Sequence, residues 1–173
     1  MDKYIYFAAS MPTLRWGAEQ QYMTEKDFLE EAEKLMSETD FQHIKNTLVN
    51  DYEPKEIKGV YSDFLTFENR LRTELAEYRK ATKEGFEYKF SLLPAQLLKD
   101  ANPLEIELKL IKFRWDWLEE REFSHYSDLD FFVLYYLKLQ LLKRMNSFKQ
   151  EIGEKAFEEL IKVNIENTEE ASE

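Results

Sequence analysis

The chain has 173 residues, 43% hydrophobic and 34% charged, enough for one globular domain with a real core or two small sub-domains, which excludes disorder throughout. Only 4 Gly and 4 Pro occur, too few for the tight turns of an all-β sandwich or a doubly wound α/β sheet, so the expected class is all-α. The 24 basic and 35 acidic residues leave a formal charge of −11, which repels a phosphate backbone and argues against nucleic acid as a partner.

The stretch from Tyr4 to Ala9 is apolar but short, aromatic and preceded by Asp2, unlike the basic start of a secretory signal. Residues 10–23 show neither helical nor strand period and read as a loop with apolar anchors at Met11, Leu14, Trp16 and Tyr22. Thr24 opens a helix over 25–37, with Asp27 at the capping-box position and Phe28, Ala32 and Leu35 on one face. A shorter helix over 39–49 follows Thr39 and Asp40, carrying Phe41, Ile44 and Leu48. Phe64, Phe67, Leu71, Leu75 and Tyr78 step by threes and fours through a long helix over 57–83, which Gly85 stops as a left-handed residue. A connector with Pro94 covers 86–101.

Asn102-Pro103-Leu104-Glu105 is the strongest local signal: a preferred cap, a proline at the first helical position and a glutamate that returns a bond to the cap. The helix it starts, 103–122, carries two apolar stripes and is expected to be buried from two sides. Ser127 caps the next helix, 128–147, which is apolar around most of its circumference and is therefore central to a bundle. A last helix over 149–164 carries Ile152, Ala156, Phe157, Leu160 and Ile161, and an acidic disordered tail covers 164–173. The longest later apolar run, Phe131 to Leu137, falls short of the roughly 20 residues of a membrane-spanning helix. Any membrane connection is then indirect.

The expected organisation is a single helical domain over 1–163, a bundle of about six helices. Tyr61-Ser62-Asp63 and Tyr126-Ser127-Asp128 echo each other 65 residues apart, each opening a long helix. Two imperfect repeats, 22–90 and 91–163, are one reading of this echo; recurrence of common capping residues is the other.

Absence of cysteine excludes disulfides, thiolate nucleophiles and zinc–thiolate sites and makes the cytoplasm the expected location. The four glycines are scattered singly, so no glycine-rich phosphate loop can be written. The best case for metal chemistry pairs Asp40 with His43 and Glu122 with His125, because a carboxylate and an imidazole three apart share a helix face. The first pair uses Asp and neither sits in mid-helix, so surface or capping histidines are the preferred reading. Clusters such as Glu119-Glu120-Glu122 read as solvated helix faces, since no calcium-loop pattern is present. Met11, Leu14, Arg15 and Trp16 are the candidate partner-binding residues, because apolar and Arg side chains in an aperiodic segment have no helix to pack. A loop folded over its own core is the competing reading, Trp being highly buried on average.

The opening Tyr4-Ile5-Tyr6-Phe7-Ala8-Ala9-Ser10-Met11-Pro12-Thr13-Leu14, the Asn102-Pro103-Leu104-Glu105-Ile106-Glu107 start, Phe113-Arg114-Trp115-Asp116-Trp117-Leu118, His125-Tyr126-Ser127-Asp128-Leu129 and Tyr136-Leu137-Lys138-Leu139-Gln140-Leu141-Leu142 resemble uncharacterised proteins encoded in bacterial V-type ATPase operons. That family more distantly resembles the C (or d) subunit of V/A-type rotary ATPases, an all-helical funnel of repeated units seating the central stalk on the membrane ring. The resemblance implies a non-catalytic subunit or adaptor, coupling stalk to ring in proton or sodium transport. Its implied partners are the stalk and ring subunits, and its location is cytoplasmic, peripheral to the membrane through the complex. It carries over no catalytic residue, cofactor or metal. The alternatives are a carboxylate–histidine metal-binding helical-bundle enzyme and an ATPase assembly factor.

Overall fold

A computed structural model describes residues 4–18, 22–50, 59–98 and 102–148. The predicted helix at 149–164 and the acidic tail lie outside the described residues. Helices α1 (Ile5–Ser10), α2 (Glu25–Leu35), α3 (Glu38–Lys45), α4 (Val60–Glu84), α5 (Pro103–Glu122) and α6 (Leu129–Ser147), with a 3-10 turn at Ala95–Leu97, make an all-α bundle with no strand among the described residues. The chain divides into compact units Met1–Leu141 and Leu142–Glu173. Of the second, the described part is the last turn of α6 and Phe148. No helix of the described residues is long and apolar enough to cross a membrane.

Where one end of a helix is satisfied by nearby residues, the expected boundary holds at that end, although α2 stops at Leu35 and not at residue 37. Thr24 and Asp27 form a reciprocal capping box on α2, and Asn102 and Glu105 do the same on α5 with Pro103 in its first turn. Gly85, at φ 77° and ψ 20°, stops α4, with the Phe86 N–H returning to the Ala81 carbonyl at 2.9 Å.

Other boundaries are set from a distance. The chain leaves the α3 helix at Lys45, not residue 49, because side chains of α4 and α6 take its next backbone groups. The Tyr61 hydroxyl accepts from Leu48 N–H at 2.9 Å and donates to the Leu48 carbonyl at 3.1 Å. The Gln140 amide donates to Thr47 O at 2.9 Å and accepts from Val49 N–H at 3.0 Å. Helix α3 also starts earlier than expected, on a Ser37 cap. The cap of α6 is Asp128 and not Ser127: its carboxylate accepts from Phe131 N–H at 2.9 Å, whereas the Ser127 hydroxyl is buried with no hydrogen-bond partner among the described residues.

Helix α4 has no cap of its own. Gly59 precedes it at φ 83° with no side chain to offer, and Asp130 of α6 accepts from Val60 N–H at 3.2 Å instead. The Tyr-Ser-Asp echo consequently occupies two different local positions. Tyr61 is buried inside the first turn of α4, while Tyr126 is exposed ahead of α6.

The core is aromatic and α6 runs through it. Residues 132–139 are all buried, including Phe132, Tyr136 and Leu137 as the apolar pattern requires. On one side Phe7 of α1 stacks on Phe132 at 4.8 Å and lies 6.0 Å from Phe28 of α2, which stacks in turn on Tyr135 and Tyr136 at 5.5 Å. The Tyr4 hydroxyl fixes α1 to α3, donating to the Asp40 carboxylate at 2.5 Å and accepting from Ser37 N–H at 3.1 Å. Helices α4 and α5 run antiparallel: Phe64 and Phe67 meet Trp117 at 5.7 and 4.9 Å, and Glu68 meets Arg114. The two stripes of α5 are used from two sides, Trp117 and Phe113 against α4 and Trp115 toward Trp16 and Lys138.

Beyond α4 the connector folds back onto a buried carboxylate. Glu74 accepts from the N–H groups of Ser91, Leu92 and Leu93 and from the Ser91 hydroxyl. Burial alone pushes this carboxyl up, but the Ser91, Leu92 and Leu93 N–H groups and the Ser91 hydroxyl together hold it below its ordinary value of 4.5. A depressed folded-state value means stability that is complete above the ordinary value and is lost as pH falls toward the folded one. We expect Glu74→Gln to cost about 1–3 kcal/mol at neutral pH. Urea titrations between neutral pH and about pH 3 should show the gap between wild type and variant closing on the acid side; a gap independent of pH would mean the carboxylate charge is not what holds the connector.

Candidate interaction surface

Segment 11–16 lies over its own bundle with one face. The Tyr135 hydroxyl donates to Pro12 O at 2.8 Å, and Trp16 packs on the buried Trp115 with ring centroids 5.6 Å apart. Lys112 Nζ sits 5.6 Å over the Trp16 ring. Burial, and after it the charge of Glu122, pushes the Tyr135 phenol above its ordinary value, so this hydroxyl keeps its proton and stays a donor. Met11, Leu14 and Trp16 are half-buried and Arg15 is exposed. The four candidate residues therefore share a segment with a packed face and an outer face.

Trp16→Ala is expected to cost about 1–2 kcal/mol from lost ring contact and burial. That corresponds to a melting temperature roughly 3–6 °C lower in a chain of this size. An unchanged melting temperature would show that the Trp115 contact contributes nothing and leave Trp16 wholly to a partner.

The carboxylate–histidine pairs do not come together. Asp40 accepts from Tyr4, and Glu122 pairs with Lys138, whose ammonium is buried beneath Trp115 at 5.0 Å from the ring. Among the described residues, the group with donor atoms close enough to share an ion is His125, Asp128 and Asp130, within 4.8 Å of one another. Its members already have structural tasks. His125 Nδ1 lies 2.6 Å from Asp128 Oδ2, the other Asp128 oxygen caps α6, and Asp130 caps α4. Each carboxylate answers a helix N-terminus, where the helix dipole favours negative charge.

The turn between α5 and α6 carries a metal-pair and a repeat reading in the sequence but no partner-binding one. Phe123 is 84% and Tyr126 72% exposed there, and Tyr6 on α1 is 92% exposed. Tyr22 and Phe86 are also largely exposed, but only Phe123 and Tyr126 stand three residues apart in one turn, which makes that turn a candidate interaction surface. The only sequence signal was the surplus: 26 aromatic residues is 15% of the chain, more than the core contacts described above consume.

Comparison with known proteins adds one likeness. A family described as a protein of unknown function (DUF2764) matches residues 84–168, which take in α5, α6 and the turn joining them and leave out segment 11–16. No curated protein and no solved structure matches the chain.

Proposed function

We propose that the chain is a non-catalytic helical adaptor of a V-type rotary ATPase, joining central-stalk to membrane-ring subunits from the aqueous side. The observation that carries an adaptor reading is the exposure of Tyr6, Phe123 and Tyr126 on a bundle whose buried charges among the described residues, Glu68, Glu74 and Lys138, are each held by internal partners, Glu68 and Lys138 in ion pairs and Glu74 by backbone N–H groups. Buried charges held by structural partners serve the fold, and exposed aromatics serve association. The V-type ATPase itself comes from the sequence resemblance at 4–14, 102–107, 113–118, 125–129 and 136–142, and the all-α bundle is compatible with it.

Purification of the intact ATPase from cells that make this protein tests the reading. A permanent subunit co-migrates with the complex at about one copy, as a stoichiometric central adaptor must. A chain present only in partly built complexes is an assembly factor. A chain absent from both is neither, and the ATPase reading fails.

A further inference from the structure

We propose that the α5–α6 turn is the docking surface, and that its occupant is a basic, apolar-faced segment of a partner protein. This rests on the adaptor reading and adds the chemistry of the partner. Phe123 continues the helical path of α5, at φ −59° and ψ −24°. Glu119 and Glu120, four and three residues earlier, therefore share its face, and both are exposed. Tyr126 follows three residues on.

Charge on this surface is one-sided. Residues 119–130 hold five carboxylates against one arginine, and the nearby basic side chains are turned to internal work. The Arg121 guanidinium lies 3.4 Å over the Trp117 ring and donates to the Trp117 carbonyl, Lys138 is buried on Glu122, and His125 is engaged by Asp128. The C-terminal end of α5 adds its own negative dipole. What this stretch exposes is two aromatic rings, Phe123 and Tyr126, and two carboxylates, Glu119 and Glu120, that pair with no cation among the described residues. Arginine or lysine answers both parts, by ion pairing and by cation–π contact, while leucine-type side chains cover the rings. A phosphate, a nucleic acid or an anionic lipid surface meets like charge here, and so does a second copy placed by a two-fold axis.

A fluorescein-labelled amphipathic peptide of about 18 residues made of leucine and arginine probes this surface on the full chain, with a leucine–glutamate peptide as its counterpart. We expect the arginine peptide to bind, to weaken several-fold between about 50 and 300 mM salt, and to lose about tenfold in affinity in Phe123→Ser/Tyr126→Ser and in Glu119→Lys/Glu120→Lys. These side chains are exposed, so the variants keep the wild-type melting temperature, which is measured alongside. The proposal is overturned if neither peptide binds, if both bind alike, or if the variants bind like wild type. Sedimentation that finds a wild-type dimer and a monomeric Phe123→Ser/Tyr126→Ser variant also overturns it, making a second copy the occupant. Co-migration with the ATPase alongside a failed peptide titration removes this surface and leaves the adaptor reading. Peptide binding without co-migration does the reverse.

Discussion

Arg114→Ala should destabilise the bundle by about 3–5 kcal/mol, because it strands a carboxylate in the interior. Glu68 is 1% exposed, and Arg114 approaches it with two nitrogens, Nε at 2.5 Å and Nη2 at 3.2 Å, while its third nitrogen donates to the Leu110 carbonyl at 3.1 Å. Arg72 lies farther off at 3.6 Å, on a side chain that is partly in solvent. Remove Arg114 and the fork geometry is gone, leaving one off-centre cation to hold a desolvated anion. The cost belongs to the orphaned charge more than to the pair, so Arg114→Met/Glu68→Leu, which removes both partners, should recover most of it. Urea unfolding of the two variants side by side decides the matter. A double variant as unstable as Arg114→Ala would mean that packing, and not the stranded carboxylate, sets the loss.

Trp115→Ala is expected to cost about 3–5 kcal/mol, the range for emptying a buried aromatic site. Trp115 is fully buried, and it is also the floor on which segment 11–16 rests and the ring beneath which Lys138 is held. Its loss should therefore be felt in two places. Global stability falls, and the peptide bond after Arg15 becomes open to trypsin in the still-folded protein as Trp16 loses its platform. Trp115→Phe keeps a smaller platform and should keep the segment protected. A loss below about 1 kcal/mol in Trp115→Ala would show that the site collapses around the gap.

How much of this was legible in the sequence depended on where each constraint came from. Helix α5 was read to the residue because Asn102, Pro103 and Glu105 close its start within one turn. The buried centre of α6 was read because eight consecutive apolar or aromatic positions, interrupted only by Lys138, admit no other place. The end of α3 was not, since Tyr61 and Gln140, which take its backbone groups, are distant in the chain. Nor was α1 visible, six residues being too few to show a helical period. The predicted partner residues at 11–16 have a packed face on Trp115 and Tyr135, and nothing in the sequence marks the more exposed Phe123 and Tyr126 of the α5–α6 turn as partner-binding. Composition counts aromatics but cannot say which stay outside, because that depends on how the two flanking helices spend their buried faces.

The borrowed cap at Asp130 gives the order in which the chain can become native. A β-carbon at position 59 would stand 2.7 Å from the Asp130 carboxylate, so this side chain closes directly on the bare Gly59 backbone. Among the described helices α4 is the longest, and the acceptor of its first amide, Val60 N–H, is a residue made 70 positions later, so a nascent chain leaving the ribosome carries α4 without this cap until α6 has followed. Loop closure over that span has to come before the cap forms. In a refolding experiment followed by pulsed deuterium labelling, Val60 should then gain protection together with α6, and later than the middle of its own helix.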